Sequence, residues 1–128
     1  MNLLLDTHLL LWAASEPQRL SKKAREMLAD PANRLLFSSA SLWEIGIKCS
    51  IGRPDFAVDP RRLWRMLLAN GYHELFVSSE HALTASELPP LHKDPFDRIL
   101  VAQARAEGLQ LLTVDKAVAK YGAAVLRV

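Results

Sequence analysis

The chain has 128 residues, half of them hydrophobic and 23% charged, with a net charge of +2. That length suits one domain with a sizeable core, and that composition excludes a disordered or fibrous chain. The single cysteine, Cys49, excludes an internal disulfide and a Cys/His zinc site, and no apolar run is long enough to span a membrane. Residues 1–128 are therefore read as one domain of a reducing cytoplasm. No signal peptide is expected, because the N-terminus lacks a positive segment and Asp6 and His8 interrupt its apolar stretch.

Leu3, Leu4 and Leu5 form an apolar run too short for a helix, the pattern of a strand buried on both faces. Asp6 stands where that strand ends. Ligands of open α/β sheets bind at the carboxyl ends of strands, so Asp6 is read as the first wall of a site. Its equally weighted alternative is an N-cap for a short helix over 7–14. Ser21 caps a helix reaching 30, with Ala24, Met27 and Leu28 inward and its lysines and arginine in water. A turn at 31–33 leads to a strand over 34–37. Ser38 to Ser41 offer N-caps to a helix through 48, ended by Gly52.

Residues 53–58 are read as loop. Asp59-Pro60 opens a helix to 70, stopped by Gly71, with Leu63, Trp64, Leu67 and Leu68 as its apolar face. A strand over 74–77 precedes a helix capped by Ser78 or Ser79 and ending near 88. Residues 89–93 form a loop. Asp94-Pro95 starts the strongest helix, to 107, with Gly108 after it. A strand over 109–113, a short helix from Asp115 to about 121 and an edge strand over 124–127 complete the chain. Strands alternating with helices indicate an α/β fold in three layers, a mainly parallel sheet with helices on both sides.

Four acids share one property. Asp6 follows the first strand, Glu44 lies about a turn after the second, Asp97 is in the first turn of the 94–107 helix and Asp115 follows the fourth strand. Each has an ordinary role too: a cap for Asp6 and Asp115, a solvated face for Glu44, a dipole contact for Asp97. Together they gather at one edge of a parallel sheet, where carboxylates repel unless a cation sits among them. Hard Mg²⁺ or Mn²⁺ suits such oxygen ligands, and metal-assisted phosphodiester hydrolysis is the chemistry that follows.

Leu3-Leu4-Leu5-Asp6-Thr7-His8, Ser38-Ser39-Ala40-Ser41-Leu42-Trp43-Glu44-Ile45, His92-Lys93-Asp94-Pro95-Phe96-Asp97-Arg98-Ile99-Leu100-Val101-Ala102-Gln103-Ala104 and Leu112-Thr113-Val114-Asp115 occur in this order. Together they resemble the PIN-domain nucleases, and within them the VapC-type toxins of toxin–antitoxin pairs. The 92–104 stretch is the most specific part. The resemblance implies a Rossmann-like α/β/α fold, bound Mg²⁺ or Mn²⁺, RNA cleavage, a homodimer and a small VapB-like antitoxin partner. The family acids map onto Asp6, Glu44, Asp97 and Asp115. Thr113 stands two positions ahead of Asp115, near the place of a family hydroxyl; Thr113, Thr7 and Asp94 are accessory candidates.

His92, Lys93, Arg98 and Lys48 are candidate RNA contacts; Lys48 is weighed against a plain solvated face, and the stripe of the 94–107 helix that holds Arg98, Ala102 and Arg105 is read as turned to water. Arg61, Arg62 and Arg65 share one helix and suit sequence-independent phosphate binding or a plain solvated face equally well. Trp12, Trp43 and Trp64 are read as core or interface residues. Two other enzyme classes fail on their motifs. A haloacid dehalogenase phosphatase needs a second aspartate where His8 stands, and a response-regulator receiver needs an aspartate where Val77 leads into Ser78. The remaining rival is a non-catalytic RNA-binding inhibitor of translation, which would survive chelation and loss of Asp6.

Overall fold

The three central strands carry leucines and phenylalanine that have no wet face to turn to, and the fold gives them two dry ones. The computed structural model describes residues 1–128. Its elements are β1 (Asn2–Leu5), α1 (Thr7–Ser15), α2 (Lys22–Ala29), β2 (Arg34–Ser38), α3 (Ser39–Ser50), α4 (Pro60–Ala69), β3 (His73–Leu75), α5 (Ser79–Glu87), α6 (Pro95–Glu107), β4 (Gln110–Thr113), α7 (Lys116–Ala119) and β5 (Val125–Arg127). Single 3₁₀ turns occur at Pro17–Arg19 and Pro54–Phe56. The sheet order is β3-β2-β1-β4-β5, and every neighbouring pair is parallel.

Alternation along the strands divides the core in two. Leu3, Leu5, Phe37 and Leu112 face one side, where α1 to α4 supply Leu9, Leu10, Ile45, Leu63 and Leu67. Leu4, Leu36 and Leu111 face the other, under Leu88, Leu100, Val101, Ala104, Val118 and Tyr121. The three-layer α/β expectation therefore holds, with a sheet that is wholly rather than mainly parallel. No helix is long and apolar enough to cross a membrane. The strand order reverses between β1 and β4, the position where an open α/β sheet leaves a crevice at its carboxyl edge.

Two expectations need correction. The third strand stops at Leu75, and Phe76 and Val77 are exposed beyond it. Ser38↔Leu75 is the last pair of that ladder, because Ser38 already caps α3 through the Ala40 N–H. With β2 gone into a helix, β3 has no further backbone partner. The stretch 53–58 is not plain loop either. It folds into a turn that buries Phe56 completely under α3.

Candidate active site

The backbone that ends β1 sets the first acid. Asp6 caps α1, its Oδ1 accepting the Leu9 N–H at 2.9 Å, while its Oδ2 accepts the Thr113 hydroxyl at 2.6 Å. The cap and the site wall are thus one side chain. Thr113, fully buried at the end of β4, also accepts the Asp115 N–H at 3.1 Å, so one hydroxyl ties the two strand ends together. Burial pushes the Asp6 carboxyl up from its ordinary range. The Thr113 and Leu9 hydrogen bonds and His8 oppose that, and the charge of Glu44 adds to it.

Glu44 lies on α3 and is almost completely buried. Its Oε1 accepts the Thr7 hydroxyl at 2.6 Å, and its Oε2 meets the Lys48 ammonium one helical turn later. The Thr7 hydroxyl also lies 3.1 Å from Ser41 Oγ. Lys48 is steadied from the other side by the Phe56 ring, 4.9 Å from its nitrogen.

Asp94 and Asp97 divide the start of α6 between them. Asp94 Oδ1 accepts the Phe96 and Asp97 N–H groups at 2.8 and 3.1 Å, an N-cap ahead of Pro95. Asp97 Oδ2 sits 2.7 Å from His92 Nε2, and Asp115 Oδ2 is 4.0 Å from the same nitrogen. Burial raises the Asp97 carboxyl to about 6, helped by the charges of Asp94, Asp6 and Glu44 and opposed by His92. Asp115 caps α7 by accepting the Ala117 N–H at 2.7 Å. Asp94→Ala is expected to cost about 1 kcal/mol of stability, the usual loss for a removed cap. Urea unfolding measures it, and an unchanged midpoint would show that Pro95 alone starts the helix.

One cleft is lined by Asp6, Glu44, Asp94, Asp97 and Asp115, together with Thr7, His8, Lys48, His92 and Val114. Lys48 is the only permanent cation in that lining. Donor atoms of His92, Asp97 and Asp115 all lie within 4.8 Å of one another. The donor set is dominated by carboxylates and fits a hard divalent cation.

A family model described as "PIN domain" matches residues 3–124. The chain belongs to the PIN-domain family. It is 32% identical over 114 residues to Ribonuclease VapC22 of Mycobacterium tuberculosis, spanning 88% of this chain and 86% of that protein. Its fold is similar to that of VapBC2 from Rickettsia felis, solved bound to a DNA fragment of its promoter. There the TM-score is 0.72, at 18% identity, over 100% of this chain and 98% of that one. It is similar also to VapC20 of Mycobacterium tuberculosis, described as a sarcin-ricin loop cleaving toxin, with a TM-score of 0.64 at 16% identity over 94% and 95% of the two chains.

The PIN fold places the remaining candidates unequally. Lys93 is exposed, and its chain neighbours His92 and Asp94 line the cleft; Lys48 is inside it. Arg61, Arg62 and Arg65 are exposed on α4, and none lines the cleft. Trp43 is not a core residue: it is two-thirds exposed and meets Phe96 edge-on, 5.5 Å between centroids. Arg98 is the main correction. Expected to contact RNA or to seek water, it instead turns inward. Its guanidinium donates to the carbonyls of Ala85 (2.7 Å), Leu88 (3.1 Å), Pro89 (3.1 Å) and His92 (3.4 Å), and to the Tyr121 hydroxyl (3.1 Å). Those five acceptors occupy both terminal nitrogens of the guanidinium. The reason lies in α6, which packs on α5 as well as on the sheet, so the stripe holding Arg98 and the buried Ala102 has a neighbour of its own.

Proposed function

We propose that this PIN domain is a metal-dependent ribonuclease, the toxin of a toxin–antitoxin pair, in which Asp6, Glu44, Asp97 and Asp115 hold Mg²⁺ or Mn²⁺. The observation that carries the reading is the convergence of acids from β1, α3, α6 and the end of β4 in one cleft, two of them pushed up by burial and mutual repulsion. A bound divalent cation supplies charge neutralisation at the attacked phosphate and an acidified water. The likeness to a protein named a ribonuclease supports RNA as the substrate.

The chain's own residues prepare that cleft in three ways. Thr113 and the Leu9 N–H take one lone pair from each Asp6 oxygen and leave the others directed by a fixed carboxylate. Thr7 and Lys48 hold Glu44 from two sides. Lys48 within the cleft and exposed Lys93, between two cleft residues in the chain, supply phosphate-binding charge. A VapB-like antitoxin and a second copy of this chain are the proposed protein partners, the first supported by the likeness to the solved VapBC structures. Exposed Trp43, Phe76 and Leu83 give this chain apolar surface for such contacts. The cytoplasm is the proposed place of action.

Expression of the chain alone is expected to arrest growth, and Asp6→Asn to relieve the arrest while the protein stays folded. Purified protein should cut RNA with Mn²⁺ or Mg²⁺ and stop on chelation. Arrest by folded Asp6→Asn, or binding without cleavage, would replace hydrolysis with inhibition by occupancy. Millimolar Mn²⁺ should also raise the wild-type Tm, because an ion that binds only the native state stabilises it by mass action. An unmoved melting curve would refute the metal site.

A further inference from the structure

His92 stands apart from the four acids because nothing about charge repulsion requires an imidazole among them. Its Nε2 nevertheless points between two of them, 2.7 Å from Asp97 Oδ2 and 4.0 Å from Asp115 Oδ2. The three donor atoms span no more than 4.8 Å. Ligands about 2.1 Å from one octahedral ion lie about 3 Å apart when adjacent and about 4 Å when opposite, and the 2.7 and 4.0 Å separations from Nε2 lie near those two values.

The loop that carries His92 is irregular but firmly held. The His92 N–H donates to the Tyr121 hydroxyl at 3.1 Å, and its carbonyl accepts from Arg98. The carbonyl of Pro89 accepts from Arg98 at 3.1 Å and from Tyr121 at 2.9 Å. Arg98 follows Asp97 directly on α6, so the residue anchoring the loop and the acid beside the imidazole belong to one rigid element. A surface histidine needs no such support. A ligand that must meet an ion beside Asp97 and Asp115 does.

We infer that His92 is a nitrogen ligand of the metal, positioned by Arg98 and Tyr121, and that it sets the metal preference of the site toward Mn²⁺ over Mg²⁺. The inference rests on the metal-dependent reading of the cleft and adds to it one residue and one selectivity. Mg²⁺ prefers all-oxygen surroundings and keeps its water, whereas imidazole favours transition metals. A site of carboxylates plus one imidazole suits Mn²⁺, which accepts both.

The test is metal binding without RNA. Titration should show that His92→Ala weakens Mn²⁺ binding about tenfold or more, while Mg²⁺ binding, never dependent on the nitrogen, changes less than about threefold. Pulsed electron paramagnetic resonance of Mn²⁺-loaded wild-type protein should detect a directly coordinated nitrogen, identified by ¹⁵N-histidine labelling. The signal should persist in His8→Ala, the other histidine of the cleft, and vanish in His92→Ala. Mn²⁺ bound by wild-type protein with no nitrogen coupling overturns the inference and leaves the four-acid reading standing. Equal losses for both metals in His92→Ala reduce the residue to a structural role and also overturn it. Failure of wild-type protein to bind either metal overturns both readings.

Discussion

Asp97→Asn is expected to stop RNA cleavage and, in the same protein, to raise the stability of the metal-free fold. The first effect follows from removing one charged group of a preorganised cleft, a loss on the order of 10²- to 10³-fold in rate. The second follows from the carboxyl's own discomfort. Burial and the nearby Asp94, Asp6 and Glu44 raise it from 3.8 to about 6. The folded state then holds the Asp97 proton more tightly than the unfolded state does. The native protein consequently loses stability as pH rises from about 3.8 through about 6, and the full penalty persists above that. At roughly 1.4 kcal/mol per unit, the penalty at neutral pH is on the order of 3 kcal/mol. Asparagine removes it and can still meet the His92 ring. Thermal melts with chelator should place Asp97→Asn above wild type at pH 7.5 and level with it near pH 4. A variant less stable than wild type at pH 7.5 would show that the carboxylate is not under strain. Mn²⁺ should narrow or reverse the order, because the wild-type site, with its full set of acids, gains more from it.

Arg98→Ala is expected to give the largest purely structural loss. Four carbonyls and one hydroxyl lose a charged donor at once, and the carbonyls of Leu88 and Pro89 have no helix to return to. Hydrogen bonds from charged groups contribute about 1.5–3 kcal/mol each, but water repays the more open acceptors, so about 3 kcal/mol in total is expected. For a chain of this size that lowers Tm by roughly 10 °C. Arg98→Lys should recover little, since an ammonium cannot fork toward carbonyls on both α5 and the 89–92 loop. A loss under 1 kcal/mol in urea unfolding would mean that Tyr121 alone holds the loop.

The contrast between these two neighbours shows what a sequence can disclose. Asp97 was legible because its chemistry is a matter of kind and spacing: an acid in a helix's first turn, one of four near strand ends. The strands were legible for a similar reason, since Leu3 to Leu5 and Leu111 to Leu112 have no polar face. Arg98 was not legible. An arginine on an amphipathic helix reads as solvated unless one knows that α5 lies beside it, and that is a fact of tertiary packing. His92 shows an intermediate case. Its place before Asp94-Pro95 marks it as near the cleft, but its backbone is held by Tyr121, a residue 29 positions away. The end of β3 is not legible in the sequence because a strand's length depends on its partner, and β2 turns into α3 at Ser38. Glu44 was placed by its distance from a strand, but its pairing with Lys48 joins two side chains that were assigned separately, one to metal and one to RNA.

The central strand of the sheet is also the first one made. β1 pairs with β2 on one side and with β4 on the other, and 107 positions separate Asp6 from the Thr113 hydroxyl that holds it. At 5–20 residues per second of synthesis, β1 leaves the ribosome on the order of 5–20 s before β4 exists. During that interval one edge of the middle strand is open, and the cleft lacks Thr113 and Asp115. An unfinished chain therefore has the opening acid of its site and none of the closing half. Asp115 is thus the last of the four acids to be made, and the cleft cannot close until β4 has paired with β1.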